Sequence, residues 1–156
     1  MLSVEVRELR RGPVETDGIV QPDDPLFEGL GIELVGPLAV HGRLQATGSD
    51  EYFWRGRLTG RVRLECRRCL VEITHAVEAE VSALFSADPD AADDPSVYPL
   101  APSAPEVDVS AAVREELALA VPAYALCREE CAGLCPTCGA DLNAGPCRCA
   151  SAAEHS

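Results

Sequence analysis

Eight cysteines, six of them crowded near the carboxyl end, constrain this 156-residue chain more than any other feature. The segment 127–149 reads CREECAGLCPTCGADLNAGPCRC, and a further pair, CRRC, occupies 66–69. Cysteines at such density form disulfides, bind metal as thiolates or act as redox thiols, and the compartment decides among these uses. The partners of the eight thiols are therefore the first question.

The amino-terminal sequence argues for a reducing compartment. The opening MLSVEVRELRRGPVE carries charges every few residues and no apolar run of signal-peptide length. No later stretch approaches the roughly 20 apolar residues needed to cross a bilayer. We therefore expect a cytoplasmic protein without membrane contact, in which the cysteines bind metal rather than form disulfides.

The spacing of the cysteines predicts zinc sites. CPTCG at 135–139 has the form of a zinc knuckle, in which two thiolates flank a tight turn and a glycine tolerates a positive φ. A closed tetrahedral site needs four ligands, so two pairs must combine. We expect one or two Zn²⁺ ions, held by Cys66, Cys69, Cys127 and Cys131 in one group and by Cys135, Cys138, Cys147 and Cys149 in the other.

The cysteines could also form a different metal site, a redox pair or a catalytic zinc site. A rival grouping on one metal would take Cys127, Cys131, Cys135 and Cys138, and would leave the other four as thiols. A thioredoxin-like CxxC needs a βαβ context, whereas CRRC is predicted to join two antiparallel strands. Catalytic zinc usually takes a histidine or carboxylate ligand, and His41, His75 and His155 lie far from the cysteine pairs in sequence. We therefore expect no enzymatic activity and no small-molecule substrate.

Alternating apolar and polar residues predict three antiparallel strands, at 38–47, 52–65 and 70–85. In the first hairpin, paired numbers that sum to 98 would place Arg43 opposite Arg55. In the second hairpin, a sum of 135 aligns apolar residues on one face and opposite charges on the other. The ion pairs predicted by this register are Arg63–Glu72, Arg57–Glu78 and Arg55–Glu80. CRRC then lies at the hairpin tip.

The rest of the chain predicts one main helix and a long loop. Residues 86–107 are rich in Ala, Asp, Pro and Ser, which indicates a flexible acidic loop. Apolar residues at helical spacing predict a helix over 109–121, with Asp108 or Ser110 as its cap. The amino terminus is expected to hold one strand near 3–9.

These elements predict an α+β fold with an antiparallel sheet, or a partly closed barrel-like meander, and a carboxyl-terminal zinc module. The expected division is a β-rich core domain over 1–126, a cysteine-rich tail over 127–150 packed on that core, and a disordered end over 151–156.

The net charge of −13 argues against non-specific binding to nucleic acid, because basic contacts to phosphate supply most of that affinity. A basic protein is the better candidate partner. Arg55, Arg57 and Arg63 are interpreted as part of a solvated sheet face on which they pair with glutamates. Arg61, Arg67 and Arg68 have no predicted partner, so they are the candidates for a local RNA contact.

With these motifs placed, residues 50–150 resemble the YceD family, the large ribosomal RNA subunit accumulation proteins of bacteria and plastids. The resemblance rests on LECRRCL at 64–70, on VSAAVREELALAVP at 109–122, and above all on LCREECAGLCPTCGADLNAGPCRC. In some relatives the tail lacks the later cysteines but keeps the CxxC and a later His/Cys pair. Matching that pair onto Cys127 and Cys131 implies that the first group is the shared site.

The resemblance implies a non-enzymatic role in the accumulation, processing or assembly of large-subunit (23S) ribosomal RNA. The implied partners are a large-subunit precursor, or a basic ribosomal or processing protein. Two alternatives stay open at this point: a zinc-ribbon adaptor in transcription, and a thiol redox sensor.

Overall fold

The computed structural model describes residues 2–147 and 149. Its strands and helices follow in chain order: β1 Ser3–Glu5, α1 Val6–Leu9, β2 Val14–Glu15, β3 Gly18–Val20, β4 Glu33–Leu34, β5 Leu38–Gly48, β6 Glu51–Glu65, β7 Glu72–Ser86, β8 Val97–Pro99, β9 Glu106–Asp108 and α2 Ser110–Ala120. Short 3-10 turns occupy Pro25–Phe27, Pro89–Ala91 and Leu142–Ala144. Three long strands and one main helix therefore dominate, as the sequence predicts.

The three long strands lie side by side at the centre of the main sheet. Its order is β2–β5–β6–β7–β8; β3 also pairs with β5, and β4 pairs with β6. β8 runs parallel to β7. The sheet is open, because its two edge strands, β2 and β8, do not pair with each other among the described residues. The α+β expectation is confirmed, and the barrel-like alternative is wrong.

The register of β5 against β6 is the predicted one. Arg43 lies opposite Arg55 and Leu44 opposite Trp54, which are pairs that sum to 98. The register shifts only between Ala46 and Gly48, next to the turn. Alternation of apolar and polar residues excludes a slip of one residue, which would turn every apolar side chain to the other face, and the turn then selects this register among those that keep the faces.

Two of the three predicted ion pairs between β6 and β7 are present. Arg63 lies 3.0 Å from Glu72, and Arg57 lies 3.1 Å from Glu78. The third pair was wrong, because Glu80 contacts Arg57 at 2.7 Å rather than Arg55. A long guanidinium can reach both its direct and its diagonal neighbour across a strand pair, so Arg57 takes two carboxylates.

Residues outside the long strands depart from the sequence predictions in several places. The one strand expected near 3–9 ends at Glu5, where a short helix follows, and β2 and β3 lie in the segment that was expected to be a loop. The segment 86–107 contributes β8 and the first residues of β9, and Tyr98 of β8 stacks on Phe85 with ring centroids 5.1 Å apart. Its flexibility stays a prediction. The expected helix over 109–121 is confirmed as Ser110–Ala120. The predicted cap is wrong, because Val109 occupies the cap position, although the Asp108 carboxylate accepts the Ser110 N–H at 2.9 Å.

Contacts group the chain into two units. The first comprises the residues up to 62 together with 76–121, and the second comprises 63–75 together with the residues from 122 onward. The division predicted at 126 and 127 stays a prediction, and the end at 151–156 lies outside the described residues. No helix in the described part of the chain combines the length and the apolar character of a membrane span.

Candidate metal centres

The second unit brings four cysteine sulfurs together from two distant parts of the chain. Cys66 and Cys69 follow β6, and Cys127 and Cys131 follow the main helix. All four sulfurs lie within 4.8 Å of one another. Sγ of Cys66 is 3.6 Å from Sγ of Cys131, and Sγ of Cys69 is 3.7 Å from Sγ of Cys127. We call this group the first cluster.

The remaining four cysteines form a second cluster at the carboxyl end of the chain. Cys135, Cys138, Cys147 and Cys149 also place their sulfurs within 4.8 Å of one another. Cys135 is buried, Cys138 is exposed, and the other two are partly exposed. The structure therefore brings together the two groups of four that the sequence predicts, and not the rival group of 127, 131, 135 and 138.

Each CxxC forms the same tight turn. The N–H of Leu70 donates to the carbonyl of Cys66, and the N–H of Gly139 donates to the carbonyl of Cys135, both at 2.9 Å. The residue after the second cysteine is left-handed in both turns, with φ of 63° at Leu70 and 75° at Gly139. A glycine adopts this conformation without steric cost, whereas a leucine does not.

The turns also direct backbone N–H groups at their first sulfur. The N–H of Cys69 lowers the pKa of the Cys66 thiol to about 6. The N–H of Cys138 does the same at Cys135 and lowers its pKa to about 6. A hydrogen bond to the charged form favours ionisation, so each turn favours the thiolate at its first cysteine, whereas burial raises the pKa of Cys127 and the Cys138 thiol raises the pKa of Cys149.

The distances fit a bound metal better than a disulfide. A disulfide needs sulfur atoms about 2.05 Å apart, well below the separations in the first cluster. Four thiolates about 2.3 Å from a tetrahedral zinc lie roughly 3.8 Å from one another, close to the separations of 3.6 and 3.7 Å in the first cluster. No histidine among the described residues joins either cluster. The donor set is therefore all thiolate, which suits a closed tetrahedral site.

Arg67 and Arg68, which have no predicted partner, both have one in the structure. The Arg67 guanidinium lies over the Tyr124 ring, 4.2 Å from its centroid. Nη1 of Arg68 donates to the carbonyl of Cys131 at 2.9 Å. The statement that these arginines lack partners was wrong, because the hairpin tip is covered by a segment remote in sequence. Arg61 is exposed on β6.

The chain after Cys131 passes close to the hairpin tip. The N–H of Leu134 donates to the carbonyl of Arg68 at 3.2 Å. Gly133 has a φ of 81°, and a Cβ at this position would stand 3.3 Å from that carbonyl oxygen. The backbone conformation and the close approach both favour glycine at this position.

Asn143 is a contact of the first cluster that the sequence predictions missed. It lies in the 3-10 turn Leu142–Ala144, and its Nδ2 donates to Sγ of Cys131 at 3.3 Å. This bond lowers the pKa of the Cys131 thiol. The signal was present in the asparagine of the GLCPTCGADLN motif, but spacing alone does not reveal which sulfur it reaches.

Comparisons with known proteins agree with these motifs. A family model described as "Large ribosomal RNA subunit accumulation protein YceD" matches residues 54–156. An uncharacterized protein of Mycobacterium leprae is 25% identical over 136 residues, which is 81% of this chain. The chain spans 61% of the length of that relative. No solved structure matches.

Proposed function

We propose, from the premise that this chain belongs to the YceD family, that it is a non-enzymatic factor for accumulation of large-subunit ribosomal RNA. The observation that carries the proposal is the family match over 54–156, which contains every cysteine of both clusters. The family is named for this accumulation, so a general role in large-subunit biogenesis follows from membership. The finer proposal is an action in the processing or assembly of precursor particles in the cytoplasm.

Each cluster is proposed to hold one Zn²⁺. Four thiolates close a tetrahedral site, and such sites are structural because no position is left for a substrate. In the first cluster the ion would bind the CRRC turn to the segment 127–131. In the second it would bind the CPTCG turn to the CxC at 147–149. Zinc would therefore supply folding energy, and this use of the cysteines supports a function without catalysis.

The distribution of charge supports a basic protein as partner. Residues 76–121 contain ten carboxylates and one arginine, whereas 63–75 contain two carboxylates and three arginines. A strongly acidic surface attracts basic proteins at long range and repels phosphate. The proposed partner is a basic ribosomal or processing protein within the large-subunit precursor, with Arg61, Arg67 and Arg68 offering at most a local RNA contact.

Depletion of the protein in its host tests the proposed role. Ribosomal particles are resolved on a sucrose gradient, and the fractions are probed for precursor and mature large-subunit RNA. We expect a selective loss of large subunits with build-up of precursor RNA, while small subunits serve as the internal control. An unchanged profile would contradict the assembly role and leave the metal sites as a separate proposal.

A further inference from the structure

The loop of the second cluster reaches into the first cluster. Asn143 lies between Cys138 and Cys147, which belong to the second cluster. Its Nδ2 donates to Sγ of Cys131 in the first cluster at 3.3 Å, and its Oδ1 accepts the N–H of Ala132 at 2.8 Å. One side chain thus contacts both a sulfur of the first cluster and the backbone beside it.

Backbone pairing holds this loop against the segment after Cys131. The N–H of Leu142 donates to the carbonyl of Gly133 at 2.9 Å, and Leu134 forms an isolated β-bridge with Asp141. The Asp141 carboxylate accepts the N–H of Asn143 at 2.9 Å and so fixes the 3-10 turn. The position of the Asn143 side chain therefore depends on the conformation of the whole loop.

The conformation of the loop depends in turn on the second cluster. The loop 139–146 begins directly after one cysteine of that cluster and ends directly before another. A metal bound to both cysteines would close the loop and reduce the entropy that its ordering costs. Without that metal, the loop has Leu142 as its one large apolar side chain, so few apolar contacts would keep it ordered.

We propose that Asn143 is a positioning residue through which metal binding at the second cluster strengthens metal binding at the first. This inference rests on the proposed zinc binding and goes beyond it, because it makes the two sites cooperative. A donor aimed at a ligating sulfur stabilises its negative charge and holds it in the ligating position. Since coupling is reciprocal, zinc at the first cluster also strengthens binding at the second.

A chelator titration of the full chain tests the role of Asn143. Wild type and variants are loaded with zinc, and the loss of each equivalent is followed against a chromogenic chelator. We expect Asn143→Leu to weaken binding at the first cluster roughly tenfold to a hundredfold. Ala144→Leu, an exposed change in the same 3-10 turn as Asn143, is the matched control and should leave both affinities unchanged.

Asn143→Asp separates the contact with sulfur from a merely structural role. The aspartate keeps an oxygen that can accept the N–H of Ala132, but it replaces the donor to Cys131 with a second oxygen that repels a thiolate. We expect a loss of affinity at least as large as that of Asn143→Leu. Wild-type affinity in Asn143→Asp would overturn the proposal. Trp54 fluorescence checks that the sheet remains folded in every variant.

A double-mutant cycle tests the coupling itself. The paired change Cys147→Ser and Cys149→Ser disables the second cluster and leaves one equivalent of zinc at the first. We expect the paired cysteine variant to bind zinc at the first cluster as weakly as Asn143→Leu does. Adding Asn143→Leu to the paired cysteine variant should lower that affinity no further. Full additivity, or an unchanged first site, would overturn the coupling. If the wild-type protein bound no zinc, both the metal proposal and this inference would be overturned.

Discussion

At the scale of single residues, the two CxxC turns are alike in geometry and unlike in composition. Both turns need a left-handed residue after the second cysteine, and one uses Gly139 while the other uses Leu70. The left-handed region costs an ordinary residue about 1–2 kcal/mol. The Leu70 side chain is 56% exposed, so burial recovers only part of that cost.

Substitutions at these two left-handed positions should change the free energy of unfolding by unequal amounts. Gly139→Ala should lower the free energy of unfolding of the zinc-loaded protein by about 1–2 kcal/mol, because its Cβ meets no atom and only the backbone cost applies. Leu70→Gly should change it by less than about 1 kcal/mol, since released strain offsets lost packing and the added backbone entropy. Urea unfolding in excess zinc measures both. Equal destabilisation by both changes would contradict this account of the turns.

At the scale of elements, β5 and β6 form a narrow slot for one indole ring. Gly42 and Gly56 lie directly opposite each other, and a Cβ on either would come within 2.4 Å of Trp54. Trp54 is fully buried, and its Nε1 donates to Oγ1 of the buried Thr16 at 2.7 Å. The two glycines are therefore part of the core of the first unit, although they contribute no side chain.

Adding one methyl group to this slot should damage the sheet. Gly42→Ala should lower the free energy of unfolding by about 1–3 kcal/mol, because the indole must leave its rotamer or the strands must separate. Gly48→Ala is the matched control in the same strand, where the nearest atom to a Cβ would be 3.8 Å away. It should be close to neutral. Thermal melting monitored by Trp54 fluorescence compares the two, and equal melting temperatures would refute the slot.

At the scale of the whole molecule, the two units differ in what stabilises them. The first unit has an apolar core that includes Leu38, Val40, Leu58 and Leu117, all fully buried. The cysteine-rich unit has a small core in which Cys66, Cys69 and Cys131 pack against the partly buried Leu126 and Leu134. So little apolar surface offsets only part of the entropy of ordering the chain, and the proposed metal would supply the difference.

Metal removal should therefore unfold one unit before the other. After treatment with a strong zinc chelator, amides in 63–75 and 122–147 should lose their protection from hydrogen exchange. Amides in β5 and around Trp54 should keep most of theirs, because their core is apolar. Mass spectrometry of exchanged peptides reads both units in one sample, and restoring zinc is the control. Retained protection in 122–147 would show that this unit folds without metal.

The charge of the whole chain also predicts weak binding to RNA. Filter binding to large-subunit ribosomal RNA fragments at physiological salt should show low affinity, because few phosphates can be neutralised by this acidic surface. Replacing the exposed Arg61 with glutamine should change that affinity little. Tight binding that falls steeply with salt, and that is lost in this variant, would favour direct RNA recognition over a basic protein partner.

The sequence by itself determined the three long strands, the faces that β5 and β6 turn to the core, the main helix and the pairing of two cysteines within each CxxC turn. These follow from periodicity and spacing, which are local properties of the chain. Only the tertiary structure decided the open sheet, the double pairing of Arg57, the partners of Arg67 and Arg68, and the reach of Asn143 to Cys131. Those contacts join residues remote in sequence, and no local pattern specifies which side chains meet when distant segments pack.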